Sequence, residues 1–166
     1  MPCALAFNGN GKVLASAGSD ATVRLWEVAT GKQKFSWNAT DDAAVAVAFS
    51  PDDKTVAAGC GKAVLLWNTT TGRICATLPG HGGRCDGVAF SPNGTMLATG
   101  GFNYTIKIWE LSSRQERLTY EEHTGLVMAL AFSKDSMRLA SFGYAEDGCV
   151  KLWEVFPNWL LPRGPN

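Results

Sequence analysis

The chain has 166 residues, 46% of them hydrophobic, with 15 basic and 15 acidic side chains. That is enough for one globular core, and a formal charge of zero gives no electrostatic case for nucleic acid, an anionic membrane or an acidic ligand. No apolar run approaches the roughly 20 residues that span a bilayer, and Met1-Pro2-Cys3-Ala4-Leu5 lacks the basic and apolar regions of an export signal.

Taken in chain order, the sequence repeats itself. An aromatic closes an apolar stretch at Phe7, Phe49, Phe90 and Phe132, at intervals of 42, 41 and 42 residues. A tryptophan follows at Trp26, Trp67, Trp109 and Trp153, at intervals of 41, 42 and 44. Between each pair lies a turn: Asn8-Gly9-Asn10-Gly11, Ser50-Pro51-Asp52-Asp53, Ser91-Pro92-Asn93-Gly94 and Ser133-Lys134-Asp135-Ser136. The second copy shows the elements in full. Val45–Phe49 reads as a strand apolar on both faces, and the proline and aspartates after it turn the chain. Thr55–Gly59, Ala63–Trp67 and Ile74–Leu78 follow as strands joined by hairpin-length turns.

The spacing therefore predicts an all-β chain of four four-stranded antiparallel sheets, in repeats of about 1–32, 33–73, 74–115 and 116–155, with a tail at 156–166. One such sheet cannot bury both of its faces. Stacked radially as the blades of an incomplete or small β-propeller, the four bury one another in a single domain. A β-sandwich also uses short strands, but it offers no reason for a period near 42.

The motif elements Gly80-His81, Leu97-Ala98-Thr99-Gly100, Ile106-Lys107-Ile108-Trp109 and Ser19-Asp20-Ala21-Thr22-Val23-Arg24-Leu25-Trp26 resemble the WD-repeat (tryptophan–aspartate) family over residues 3 to about 155. The namesake dipeptide is replaced by Trp26-Glu27, Trp67-Asn68, Trp109-Glu110 and Trp153-Glu154. The resemblance implies a buried hydrogen-bond network of His, Ser or Thr, Asp and Trp within a blade. Blade four carries His123, Ser141, Asp147 and Trp153; blade three carries His81, Thr99, Asn103 in place of Asp, and Trp109. Blade one keeps Ser16, Asp20 and Trp26 without a His, and blade two, with Thr40, Ala57, Gly61 and Trp67, is expected to rely on apolar packing.

His123, Ser141 and Asp147 also suggest a catalytic triad, but that chemistry needs an exposed nucleophile beside an oxyanion hole, and the same trio fits the structural network. His81 and Cys85 lack a second pair for a four-ligand metal site, and no phosphate-binding glycine loop is present. Neither metal nor cofactor is expected. The five cysteines (Cys3, Cys60, Cys75, Cys85 and Cys149) form an odd set without C-x-x-C spacing, which reads as reduced thiols in a cytoplasmic protein. The sequons at Asn38, Asn68, Asn93 and Asn103 read as turn residues. Trp37 is expected to cover an outer strand.

The resemblance further implies partner-facing positions six and four residues before each strand-ending Phe, and one before the turn Asp. These are Arg84, Asp86 and Phe102 in blade three and Leu126, Met128 and Glu146 in blade four. Blade two supplies Ala43, Val45 and Cys60, and blade one Met1, Cys3 and Ser19. Aromatics, Met and Arg are enriched at protein interfaces, so blades three and four, with Tyr144 in a short insertion, are the expected partner surface. The expected function is a protein–protein interaction scaffold; the alternative is a propeller-type hydrolase or lyase with a site in the central channel. Four blades leave an apolar flank at each end of the run, so a homodimer, or a ring completed by another chain, is expected.

Overall fold

A computed structural model describes residues 2–39 and 43–155. Among them are fifteen strands and no helix. The first sheet holds β1 (Pro2–Phe7), β2 (Val13–Gly18), β3 (Thr22–Glu27) and β4 (Gln33–Asn38) in that order. The second holds β5 (Ala44–Phe49), β6 (Thr55–Cys60), β7 (Ala63–Asn68) and β8 (Ile74–Pro79), and the third β9 (Cys85–Phe90), β10 (Met96–Gly101), β11 (Ile106–Glu110) and β12 (Gln115–Tyr120). The fourth shows β13 (Leu126–Phe132), β14 (Arg138–Tyr144) and β15 (Val150–Glu154). All pairings are antiparallel. The tail at 156–166 lies outside the described residues, as do Met1 and Thr40.

The turn after each innermost strand is built the same way four times. Its first side chain bonds across the turn: Val13 N–H donates to Asn8 Oδ1 at 2.8 Å, and Thr55, Met96 and Arg138 N–H donate to the hydroxyls of Ser50, Ser91 and Ser133 at 2.9 Å. Its fourth residue takes a left-handed backbone, with φ of 70° at Gly11, 60° at Asp53, 71° at Gly94 and 63° at Ser136. Glycine adopts that conformation freely, whereas Asp53 and Ser136 accept strain. Both make a bond to the preceding blade. Asp53 Oδ1 accepts from Gly9 N–H at 2.7 Å, and Ser136 Oγ accepts from Asn93 N–H at 3.1 Å.

Side chains alternate across a strand, so each sheet feeds two packing layers. Ala15, Ala17, Val23 and Leu25 of the first sheet meet Val56, Ala58, Leu65 and Trp67 of the second. Val64, Leu66 and Leu78 of the second meet Cys85, Leu97 and Trp109 of the third. Ile106 and Ile108 of the third meet Val127, Leu139 and Trp153 of the fourth. The layer is one design used three times: the tryptophan face of one sheet lies on the opposite face of the sheet before it.

Among the described residues, two faces pack on no other sheet. The tryptophan face of the first sheet shows Leu5 and Phe7 at 63% and 62% exposure; the opposite face of the fourth shows Val150 and Leu152 at 67% and 75%.

Trp37 does more than cover an outer strand. From β4 it stacks on Trp67 of the next sheet, with centroids 5.1 Å apart, and its Nε1–H donates to Gly72 O at 2.7 Å. Phe35 stacks behind it at 5.6 Å. Tyr120 on β12 lies tilted against Trp153, centroids 4.6 Å apart, its hydroxyl donating to Glu154 O. The structure corrects the position expected to serve Trp67: Ala57 pairs with Leu66 and lies on the opposite face, and the counterpart of Ser16, Thr99 and Ser141 is Ala58, which also has no hydroxyl, so Trp67 is clamped by aromatics from blade one. Trp37→Ala is expected to cost about 2 kcal/mol, below a fully buried Trp because the ring is half-buried. Urea midpoints of the two proteins check this.

Candidate functional site

Every innermost strand carries a register shift at the same place: between Pro2 and Ala4, Ala44 and Ala46, Cys85 and Gly87, and Val127 and Ala129. Such a bulge leaves one residue out of the ladder and re-aims its side chain. The residues so released are Cys3, Val45, Asp86 and Met128. All four line a single open cleft of about 580 Å³, completed by Ala4, Ala46, Val47, Arg84, Gly87, Val88, Ala129 and Leu130. The repeat thus delivers one chosen side chain from each blade to a shared axial surface.

The side chains lining the cleft are apolar apart from one pair. Arg84 Nε donates to Asp86 Oδ1 at 2.7 Å, and its guanidinium lies 4.7 Å from the centroid of the Phe102 ring. Asp86 is deeply set, its side chain 3% exposed, whereas Phe102 and Met128 are 43% and 40% exposed. Of the residues expected to face a partner, the structure brings Arg84, Asp86 and Met128 into the cleft and joins Phe102 to them through Arg84. Val45 and Cys3 of blades two and one are there as well. Leu126 is half-buried and pairs with Tyr144 across β13 and β14; Glu146 is exposed on the loop after β14. Neither lines the cleft. The sequence reading passed over Val47, Val88 and Leu130, each two residues before the strand-ending Phe. That constant offset is the signal that would have found them.

Beneath this surface lie the polar networks. In blade three, Trp109 Nε1–H donates to Thr99 Oγ1 at 2.8 Å, and Thr99 Oγ1 lies 2.7 Å from His81 Nε2. His81 Nδ1 lies 3.2 Å from Asn103 Oδ1, and Asn103 Nδ2 donates to Thr105 Oγ1. Blade four repeats the pattern. Trp153 Nε1–H donates to Ser141 Oγ at 2.8 Å, Ser141 Oγ lies 2.6 Å from His123 Nε2, and His123 Nδ1 bonds Asp147. Both histidines are satisfied by the tautomer with hydrogen on Nδ1, since the facing Asn and Asp oxygens accept. Blade one keeps only the Ser16–Trp26 bond, at 2.9 Å; Asp20, with no His to hold, pairs with Arg24 at 2.8 Å.

Ser141 is 2% exposed and already accepts from an indole, so His123, Ser141 and Asp147 form no accessible nucleophile. His123, Asp147 and Cys149 hold ligand atoms within 4.8 Å of one another, but both ring nitrogens of His123 are engaged and Cys149 Sγ donates to Asp147. His81 likewise has both nitrogens engaged, leaving none for a metal beside Cys85.

Residues 2–27, 31–68, 72–110 and 114–154 match the family WD domain, G-beta repeat. The chain belongs to the WD-repeat family. Its relatives include periodic tryptophan protein 2 of Arabidopsis thaliana, 29% identical over 95% of this chain and 18% of that one. Pre-mRNA-processing factor 19 homolog 2 of the same plant is 30% identical over 90% of this chain and 29% of that one. Protein tipD of Dictyostelium discoideum is 37% identical over 64% and 18%. The chain thus spans less than a third of each of these relatives. The solved structure of U3-55K superposes with a TM-score of 0.85 at 22% identity, over 93% of this chain and 49% of that one, which establishes the shared propeller fold.

The WD-repeat networks have a pH signature. Burial holds the His81 imidazole below its ordinary 6.5 despite the Asn103 bond, and the bond from His123 holds Asp147 down at about 2. In both cases the unfolded chain binds more protons over the affected range, so stability falls as pH falls. Loss is expected to begin below about pH 6.5 through His81, then to continue from Asp147's ordinary 3.8 down to about 2. Urea midpoints at pH 7, 5 and 3 measure it, and His81→Gln should flatten the first step.

Proposed function

We propose that this WD-repeat chain is a non-catalytic interaction scaffold that holds a protein partner at the axial cleft, through Arg84, Asp86, Phe102 and Met128, with Leu126 and Glu146 on the rim. The observation that carries this is the exposed Phe102 ring under the Arg84 guanidinium, tied by the Arg84–Asp86 pair to an apolar cleft. Aromatic, Met and Arg side chains on a rigid scaffold are what protein interfaces use. The even charge balance supports a protein partner over a nucleic acid or a membrane. One relative, named as a pre-mRNA-processing factor homolog, supports a role that involves other proteins. A reducing setting belongs to the same reading, supported by the buried, unbridged thiols of Cys60 and Cys85.

Phe102→Ala combined with Met128→Ala is expected to weaken partner capture at least 30-fold, from a hot-spot cost of about 2 kcal/mol. Quantitative pull-down with circular dichroism as a folding control checks it. Undiminished capture would place the interface elsewhere.

The two leftover flanks belong to this reading. They are the two sides of the layer the chain already forms three times, and a second copy can supply each to the other. Head-to-tail pairing of two copies would close an eight-bladed ring, within the range of about four to eight blades.

A further inference from the structure

Two of the three seams between neighbouring sheets are filled by aromatic side chains, and the middle one is not. The outer strand of each sheet sets two side chains toward the next sheet. From β4 they are Phe35 and Trp37, opposite Leu25 and Val23 in the ladder. From β12 they are Leu118 and Tyr120, opposite Ile108 and Ile106. The matching pair on β8, opposite Leu66 and Val64, is Ala76 and Leu78. With no ring from β8, a cleft of about 530 Å³ opens between the second and third sheets, with Ala76 and Leu78 beneath it and the half-buried Phe90 and Leu111 in its walls. The turns of this seam are unclamped as well. Asp53 and Ser136 each bond back to the preceding blade, but their counterpart in blade three is Gly94, which has no side chain to do so.

The rim supplies a charge. Arg114 lines the cleft from the turn after β11, and its counterparts are Gly31 and Gly72. All three take a left-handed backbone, with φ of 60°, 67° and 70°. Glycine does so freely, whereas arginine accepts strain. Asp53 and Ser136, strained in the same way, each make a bond between blades. Arg114 makes no ion pair and no side-chain hydrogen bond among the described residues, and the nearby Glu110 is taken by Arg117 at 2.6 Å. Asp52, the other charged side chain of the lining, is engaged within its own turn, accepting from Ser50 Oγ and Lys54 N–H. The seam therefore offers an apolar hollow beside one uncommitted guanidinium.

We propose that the seam between the second and third sheets receives an acidic segment of a protein partner, with an aromatic side chain in the hollow and an adjacent carboxylate on Arg114. The ring fills the place that Phe35 and Trp37 fill one seam earlier, and it lies against Phe90 and Leu111. None of these residues lines the axial cleft, so this second surface stands or falls apart from the first.

The test titrates the full ¹⁵N-labelled chain with capped tripeptides, following the Cys75, Gly94 and Leu111 amides by NMR. Each peptide holds one central residue between two aspartates or two lysines. Phenylalanine between aspartates is expected to bind saturably, and about tenfold tighter than alanine between aspartates, because the ring is buried. Replacing the aspartates by lysines should weaken binding about fivefold. Arg114→Gly should raise the urea midpoint, because it relieves strain, and should erase the preference for aspartate flanks. Ala76→Phe with Leu78→Trp rebuilds the filled seam and should abolish saturable binding. No saturable shift, equal binding of the phenylalanine and alanine peptides, or a preference for lysine flanks would each overturn the proposal. So would undiminished binding to the filled variant, or shifts confined to the Val47, Gly87 and Met128 amides of the axial cleft. The comparisons on the unaltered chain and on Arg114→Gly stand even if the filled variant does not fold.

Discussion

Gly143→Ala is expected to destabilise the fold by about 4 kcal/mol, a large share of the roughly 5–15 kcal/mol that holds a domain together. Gly143 lies on β14 against the blade-four network. A Cβ there would fall 1.8 Å from Asp147 Oδ2 and 2.6 Å from His123 Nδ1. Neither can give way cheaply, because His123 is fixed through Ser141 to Trp153 and is 1% exposed at its side chain. Moving Asp147 would strand a buried imidazole N–H at about 1–3 kcal/mol, and the overpacking adds about as much. Asp147→Asn should cost far less, since Asn103 fills that place in blade three and still accepts from its histidine. Denaturant unfolding of the three proteins checks the ranking; a Gly143→Ala loss below that of Asp147→Asn would mean that the network does not tie the blade.

A single charge on either outer flank is expected to abolish the proposed pairing of two copies. Leu152 on the fourth sheet corresponds to Leu25, Leu66 and Ile108, which sit in the three inter-sheet layers. Leu5 on the first corresponds to Val47, Val88 and Leu130 on the facing side of those layers. Leu152→Glu or Leu5→Lys would place an unpaired ion in each of two such layers, and about 3 kcal/mol per ion amounts to more than a 100-fold rise in the dissociation constant. Mixing the two variants is expected to restore association. In the mixed pair one layer is fully apolar and the other sets a carboxylate against an ammonium. Sedimentation velocity on each variant and on the mixture reads this out; variants that associate as the unaltered chain does would show that the flanks are not the contact.

The fold was legible because its period is written in large residues. Phe7, Phe49, Phe90 and Phe132 end the innermost strands and the four tryptophans end the third strands, so strand order followed from spacing alone. The turns were legible for the same reason, since Ser-Pro-Asp-Asp and Asn-Gly-Asn-Gly state their chemistry. The residues of the blade-three and blade-four networks were read from family resemblance, but that Asp20 leaves blade one's set for Arg24, and that Ala58 rather than Ala57 faces Trp67, was not. The bulges were not legible, for a backbone register shift at Cys3, Val45, Asp86 and Met128 has no residue signature. Without them the alternation of Val45 with Val47 does not disclose a common cleft. Nor could the sequence show that Trp37 reaches across to Trp67, or that Leu126 and Glu146 fall outside the cleft, because both depend on how neighbouring sheets are set against each other.

We propose that the sheet-to-sheet layer made three times within the chain also forms between two copies, through the outer faces of the first and fourth sheets. Multi-angle light scattering on the unaltered chain tests it most directly. The account predicts a species of twice the 17.7 kDa chain mass. A monodisperse, heat-stable monomer of 17.7 kDa would contradict it.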